Sequence, residues 1–196
     1  MQKYHLWWLA RVWEVKKDGA ISSHLFDYGN SANFADLDAM LEEFAPHMVG
    51  LDIGYAARSA EVMDYCADYT DQARPLDSVV LALRGSDSLK KSIMDVVVRD
   101  AFEGRRTGTG QNLYTEITWS NDVFRQWLIE YMDGPGDTWT VPGCIGSDKK
   151  GLEYLRQATT TKKVDGIWEP PRHRQDHLFD CEVMQLVLAR HNQFIN

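Results

Sequence analysis

The chain has 196 residues, 44% hydrophobic and 26% charged, a balance that fits one soluble globular domain and excludes disordered and fibrous classes. Its formal charge of −8 argues against a uniformly basic nucleic-acid binder. No apolar run approaches the roughly eighteen residues that a membrane-spanning helix needs.

The N-terminal stretch lacks the layout of a signal peptide, because Arg11 interrupts its apolar run. Leu6 to Val15 reads as a buried strand, Lys16-Lys17-Asp18-Gly19 as a hairpin turn, and Ala20 to Tyr28 as the returning strand. Phe34, Leu37, Met40, Leu41 and Phe44 recur at a helical period, with Asn33 placed to cap the helix. Met48 to Ile53 is a short apolar strand closed by Gly54, and it carries Asp52 near its carboxyl end. In open α/β sheets that is where ligands bind, although the same acid would also serve to cap the helix that follows. Ser59 to Tyr69 predicts a second helix and Ser78 to Leu83 another strand.

Residues 84–112 read as irregular, with a short strand at Met94–Val98 and a Gly-rich stretch at 104–110. That stretch has no Lys-Ser/Thr ending, so it is not a nucleotide phosphate loop. Leu113 to Trp119 alternates as a strand, and Ser120-Asn121-Asp122 caps a helix to about Met132. A break at Asp133–Asp137 follows, then a helix at Lys149–Ala158. Pro170-Pro171 forces another break before a last helix at about 174–193. Alternating strands and helices after an opening hairpin predict a single α/β domain over 1–196 with a mixed sheet.

The densest chemistry falls in His173-Arg174-Gln175-Asp176-His177-Leu178-Phe179-Asp180. Spacings of three and four put His173, Asp176, His177 and Asp180 on one stripe if the helix starts early enough. Leu178, Phe179, Val183, Leu186 and Val187 make that helix strongly apolar, so its acids need a partner, either a metal ion or an arginine. Carboxylates of this kind suit Mg²⁺ or Mn²⁺. The two histidines would suit zinc, but Arg174 stands where a zinc-hydrolase HExxH motif has its glutamate.

Two basic groups stand out in the acidic chain. One is Lys149, Lys150, Arg156, Lys162, Lys163, Arg172 and Arg174, and the other is Arg84, Lys90, Lys91, Arg99, Arg105 and Arg106. Local potential, not total charge, meets a polyanion, so either group can hold phosphates. Three widely spaced cysteines (Cys66, Cys144, Cys181) form no CxxC pair and point to a reducing cytoplasm.

Three segments taken together resemble the nuclease domain of the large terminase subunit of lambda-type phages. They are Gly-Leu-Asp52-Ile-Gly-Tyr, the run Leu113–Leu128 around Trp-Ser-Asn-Asp, and Trp168 through Ala189 with Asp176-His177-Leu178-Phe179-Asp180. The resemblance spans nearly the whole chain and implies an RNase H-like fold and Mg²⁺- or Mn²⁺-dependent cutting of double-stranded DNA during genome packaging. It transfers catalytic and metal-binding roles to Asp52 and Asp180, with Asp176 a second candidate on the helix and His177 and His173 auxiliary. Lys149, Lys150, Lys162, Lys163, Arg172 and Arg174 would contact the DNA backbone. Its implied partners are the packaging motor, the small subunit and the portal, in the host cytoplasm.

Two departures accompany the resemblance. The ATPase motor that normally precedes this domain is absent, and the first-strand aspartate of the family would fall ahead of Gln2, about where Met1 stands. Asp27 is a substitute to be weighed. The alternative expectation is a catalytically inactive DNA-binding or assembly module of the same fold.

Overall fold

The computed structural model describes residues 6–17, 19–54, 57–89, 92–101, 112–134, 138–159, 161–169 and 176–195. The chain is mixed α/β, with mixed sheets and flanking helices, and divides into two compact units. One comprises Met1–Leu6 and Ala32–Val123, the other Trp7–Ser31 and Phe124–Asn196.

In the first unit, α1 (Phe34–Phe44) starts where Asn33 accepts the backbone N–H of Asp36 at 3.0 Å. Asp36 accepts in turn from the backbone N–H of Ala32 at 3.0 Å, one residue ahead of the cap. Then come β3 (Val49–Asp52), α2 (Ser59–Asp68), β4 (Val80–Ser86), β5 (Met94–Asp100) and β6 (Leu113–Ser120). The strands form one sheet in the order β3-β4-β6-β5. The first three are parallel, in register from Val49↔Val80 and Ala82↔Glu116, and β5 returns antiparallel on the edge. Val62, Cys66 and Ala67 of α2 pack on Val80, Ala82 and Tyr114 of one sheet face. At about 25 cal/mol per Å² of apolar surface removed from water, burying these side chains stabilises the unit.

The strand expected at Ser78–Leu83 begins later, at Val80. A 3₁₀ turn at Pro75–Asp77 precedes it, and the Ser78 hydroxyl closes that turn by donating to the Pro75 carbonyl at 2.6 Å. It also runs three residues further, because its ladder with β6 continues to Ser86↔Ser120.

The second unit holds β1 (Leu6–Val15, from Trp7 on), β2 (Ile21–Ser31), α3 (Asn121–Asp133, from Phe124 on), β7 (Trp139–Thr140), α4 (Lys149–Ala158), β8 (Lys162–Val164), β9 (Ile167–Glu169) and α5 (His177–His191). Its sheet runs β1-β2-β7, with β2 and β7 parallel. The expected hairpin turn is present, with Gly19 at φ +82° and Lys16 N–H donating to the Ala20 carbonyl at 2.7 Å. Asp148 caps α4 by accepting from Gly151 N–H at 2.7 Å. An unforeseen hairpin, β8–β9, turns through Asp165 and Gly166, both at positive φ, as a two-residue type I′ turn requires.

The last helix begins at His177, not near Arg174, because Asp176 stands at φ −126° and ψ 22° outside helical geometry. Among the described residues no helix is long and apolar enough to cross a membrane.

Candidate functional site

In the first unit the carboxyl ends of the parallel strands gather polar groups. Asp52 closes β3, half-buried, and its Oδ1 accepts from Gly54 N–H at 2.7 Å. A Cβ at Gly54 would stand 2.9 Å from that oxygen, so glycine here lets the chain turn tightly over the carboxylate. At the end of β4, Asp87 accepts from the Asn121 amide at 2.8 Å. The Asn121 side chain is thus directed to Asp87, where the sequence predicts a helix cap. A Cβ at Gly85 would stand 2.1 Å from Asn121 Oδ1, so the glycine makes room for this pair.

In the same sheet Glu116 is 3% exposed and lies between Arg84 and Arg99, at 3.3 and 3.2 Å. Burial, and then the charge of Glu116, pushes the nearby Tyr114 phenol up to about 12. Burial alone raises the Cys66 thiol to about 12, which leaves it without nucleophilic character at neutral pH.

In the second unit Asp180 lies in the first turn of α5 with its side chain 48% exposed. Arg125 of α3 donates to it at 3.2 Å. Thr161 donates to Asp176 at 3.4 Å, a long bond. The His177 ring stacks on Trp7 with centroids 5.6 Å apart, and burial lowers its pKa below the ordinary histidine value. Burial favours the neutral ring because desolvation penalises the imidazolium.

Lys149 and Lys162 are exposed. Lys150 donates to Asp27 at 2.8 Å and lies 4.7 Å over the Tyr28 ring, so both Lys150 and the substitute acid Asp27 are engaged with one another. Lys163 lies 5.2 Å over Trp168. Arg172, His173 and Arg174 fall outside the described residues. Asp52 belongs to the first unit, and Asp176 and Asp180 to the second. Among the described residues no three His, Cys, Asp or Glu side chains are grouped to hold a metal ion.

The most deeply buried charges in the second unit escaped the sequence reading. Arg11 Nε lies 2.6 Å from Glu182 Oε2 and Nη2 lies 2.9 Å from Oε1, with both side chains wholly inaccessible. Tyr154 also donates to Glu182. Arg11 further donates to the Thr140 carbonyl at 3.1 Å and stacks 3.9 Å over Trp139. The signal was available: a charge inside an apolar strand, and an acid on the buried stripe of an apolar helix.

No family model, curated protein or solved structure matches this chain.

Proposed function

We propose that the chain is an RNase H-like nuclease domain of the lambda-type large terminase kind, a metal-dependent endonuclease acting on double-stranded DNA. The observation that carries the reading is Asp52 at the carboxyl end of a parallel strand, where open α/β sheets take their ligands. Asp180, a half-exposed acid in the first turn of a largely apolar helix, is the second support.

Asp52 in the first unit, and Asp176 and Asp180 in the second, each offer only carboxylate oxygens, the hard donors that Mg²⁺ and Mn²⁺ take. Such an ion would supply an activated water and charge neutralisation at a phosphodiester. The chain's own residues have separate tasks. Gly54 N–H orients the Asp52 carboxylate, and Arg125 holds Asp180 in place. Lys149, Lys162 and Lys163, with Arg172 and Arg174, meet phosphates without reading sequence. Lys150 joins them only by leaving Asp27. In this reading the protein works in the host cytoplasm beside a packaging motor, a small subunit and the portal.

The test is nicking of supercoiled plasmid in Mn²⁺, Mg²⁺ or EDTA by wild type, Asp52→Ala and Asp180→Ala. Metal-dependent nicking that both substitutions abolish supports the proposal, and wild-type cutting by either variant defeats its site assignment.

One observation favours the second reading, a DNA-binding or packaging-assembly module that does not cut. Arg125 already neutralises Asp180, so this acid needs no metal to stand where it does. Duplex binding that survives EDTA, with no nicking in Mn²⁺ by folded protein, would select it.

A further inference from the structure

The geometry points to a second phosphate-contacting site, on the β4–β6–β5 face of the first unit, formed by Arg84 and Arg99 over the buried Glu116. It rests on the nucleic-acid reading above and assigns that ligand's phosphodiester backbone to residues the reading does not use.

Register fixes the arrangement. Glu116 shares one face of β6 with Tyr114 and Thr118, opposite Ala82 and Val97, while Arg84 opposes Thr118 and Arg99 opposes Tyr114. The two guanidiniums therefore converge on one carboxylate from the two neighbouring strands. Each uses its Nε, Arg84 toward Oε1 at 3.3 Å and Arg99 toward Oε2 at 3.2 Å. Thr118 donates to Oε1 at 3.3 Å and Tyr114 to Oε2 at 3.4 Å. Two ion pairs and two long hydroxyl hydrogen bonds thus share the Glu116 carboxylate.

A single cation would compensate one buried carboxylate, so the second guanidinium is a surplus positive charge held over a fixed base. Both arginine side chains stay about half exposed, 43% and 45%. Planar forks match phosphate oxygens in pairs, and a guanidinium already held beside a buried carboxylate loses less freedom on binding than a loose one. Asp95, exposed opposite Thr118 on the same face, offsets part of that charge. In sequence, residues 84–112 carry six basic residues and four acids, in a chain whose net charge is −8. An excess of that sign along the chain is the polarity a phosphate backbone requires.

The experiment is equilibrium binding of a labelled DNA duplex in EDTA over a range of salt, so that no cutting occurs. Wild type is compared with Arg84→Gln, Arg99→Gln and, as a control, Lys149→Gln/Lys162→Gln. Each arginine substitution is expected to weaken binding several-fold and to lower the slope of log binding constant against log salt by about one. Wild-type affinity and slope in both arginine variants, with loss in the lysine control, would overturn the inference and leave the nucleic-acid reading standing. No duplex binding by folded wild type would remove both.

Should a variant fail to fold, wild type treated with phenylglyoxal gives the answer by peptide mapping. Duplex is expected to protect Arg84 and Arg99 but not Arg74, which is 71% exposed beside Asp71 and Asp77. Equal modification with and without duplex contradicts the site. So does equal protection by polyglutamate, which would make it a carboxylate-binding surface.

Discussion

Removing Arg11 isolates the largest single electrostatic commitment in the second unit. Its guanidinium makes two short contacts to Glu182, at 2.6 and 2.9 Å, and bonds the Thr140 carbonyl at 3.1 Å and the Ser23 hydroxyl at 3.2 Å. Neither partner of the ion pair touches solvent. Arg11→Met keeps most of the side-chain volume but leaves Glu182 buried with only the Tyr154 hydroxyl. Breaking a buried pair from one side costs about 3–5 kcal/mol, because the stranded charge retains its desolvation penalty. Arg11→Met/Glu182→Leu removes both charges and should cost far less than the sum of the single changes. The assay is urea unfolding followed by tryptophan fluorescence and far-UV circular dichroism, with coincident transitions as the condition for a free energy. A loss below about 1 kcal/mol in Arg11→Met, the range of an exposed pair, would refute the argument. Additive losses in the double variant would refute it equally, since the two charges would then not be coupled.

Other consequences are as direct. Gly151→Ala places a methyl 1.5 Å from the Ile145 carbonyl oxygen, a backbone atom, so the start of α4 must shift. A loss of about 3 kcal/mol, the upper range for overpacking, is expected in thermal melts, and an unchanged midpoint would contradict the contact. Burial holds the folded-state pKa of His177 and His191 below 6.5, so the unfolded chain binds protons first as pH falls. Their contribution is therefore intact above about pH 6.5 and lost on acidification toward the folded values, and the midpoint drop between pH 7.5 and 5.5 should shrink in His177→Gln/His191→Gln. Arg125→Gln frees Asp180 from a partly exposed pair worth about 1 kcal/mol at most. If Asp180 is a metal donor, half-maximal nicking should then need up to about fivefold less Mn²⁺, and an unchanged requirement would detach Arg125 from the site.

The elements that periodicity marks strongly are where the sequence places them. Phe34–Phe44 and Lys149–Ala158 form helices at the expected positions, and the Leu6–Val15 strand returns through the expected turn. What escaped was short or held by distant partners. β7 is two residues long and exists through its register with Ser23 and His24. β8 and β9 are three residues each, too short to show alternation, and only Asp165-Gly166 announced them. Met94–Asp100 outran its expected end because β6 offers partners as far as Leu113, which local propensity does not encode.

The acids of the last helix show how much of a site periodicity alone can sort. The spacing puts Asp176 and Asp180 on one helical stripe if the helix begins early enough. The helix begins at His177, so Asp176 stands just ahead of it and only Asp180 lies on it, and both are half-buried. Glu182 is two residues beyond Asp180, about 200° around the helix, and so falls in line with Leu178 and Leu186. Both leucines are essentially inaccessible, and so is Glu182. An acid on that stripe demands a buried cation, and Arg11 is the positive charge inside the apolar Leu6–Val15 strand. Their pairing was thus inferable by complementarity, 171 residues apart. Arg125 was not, because it lies on a helix of mixed polarity where an arginine needs no explanation. A buried charge constrains its partner; a half-exposed one such as Asp180 does not, and that same freedom is what a residue needs in order to exchange an arginine for a ligand.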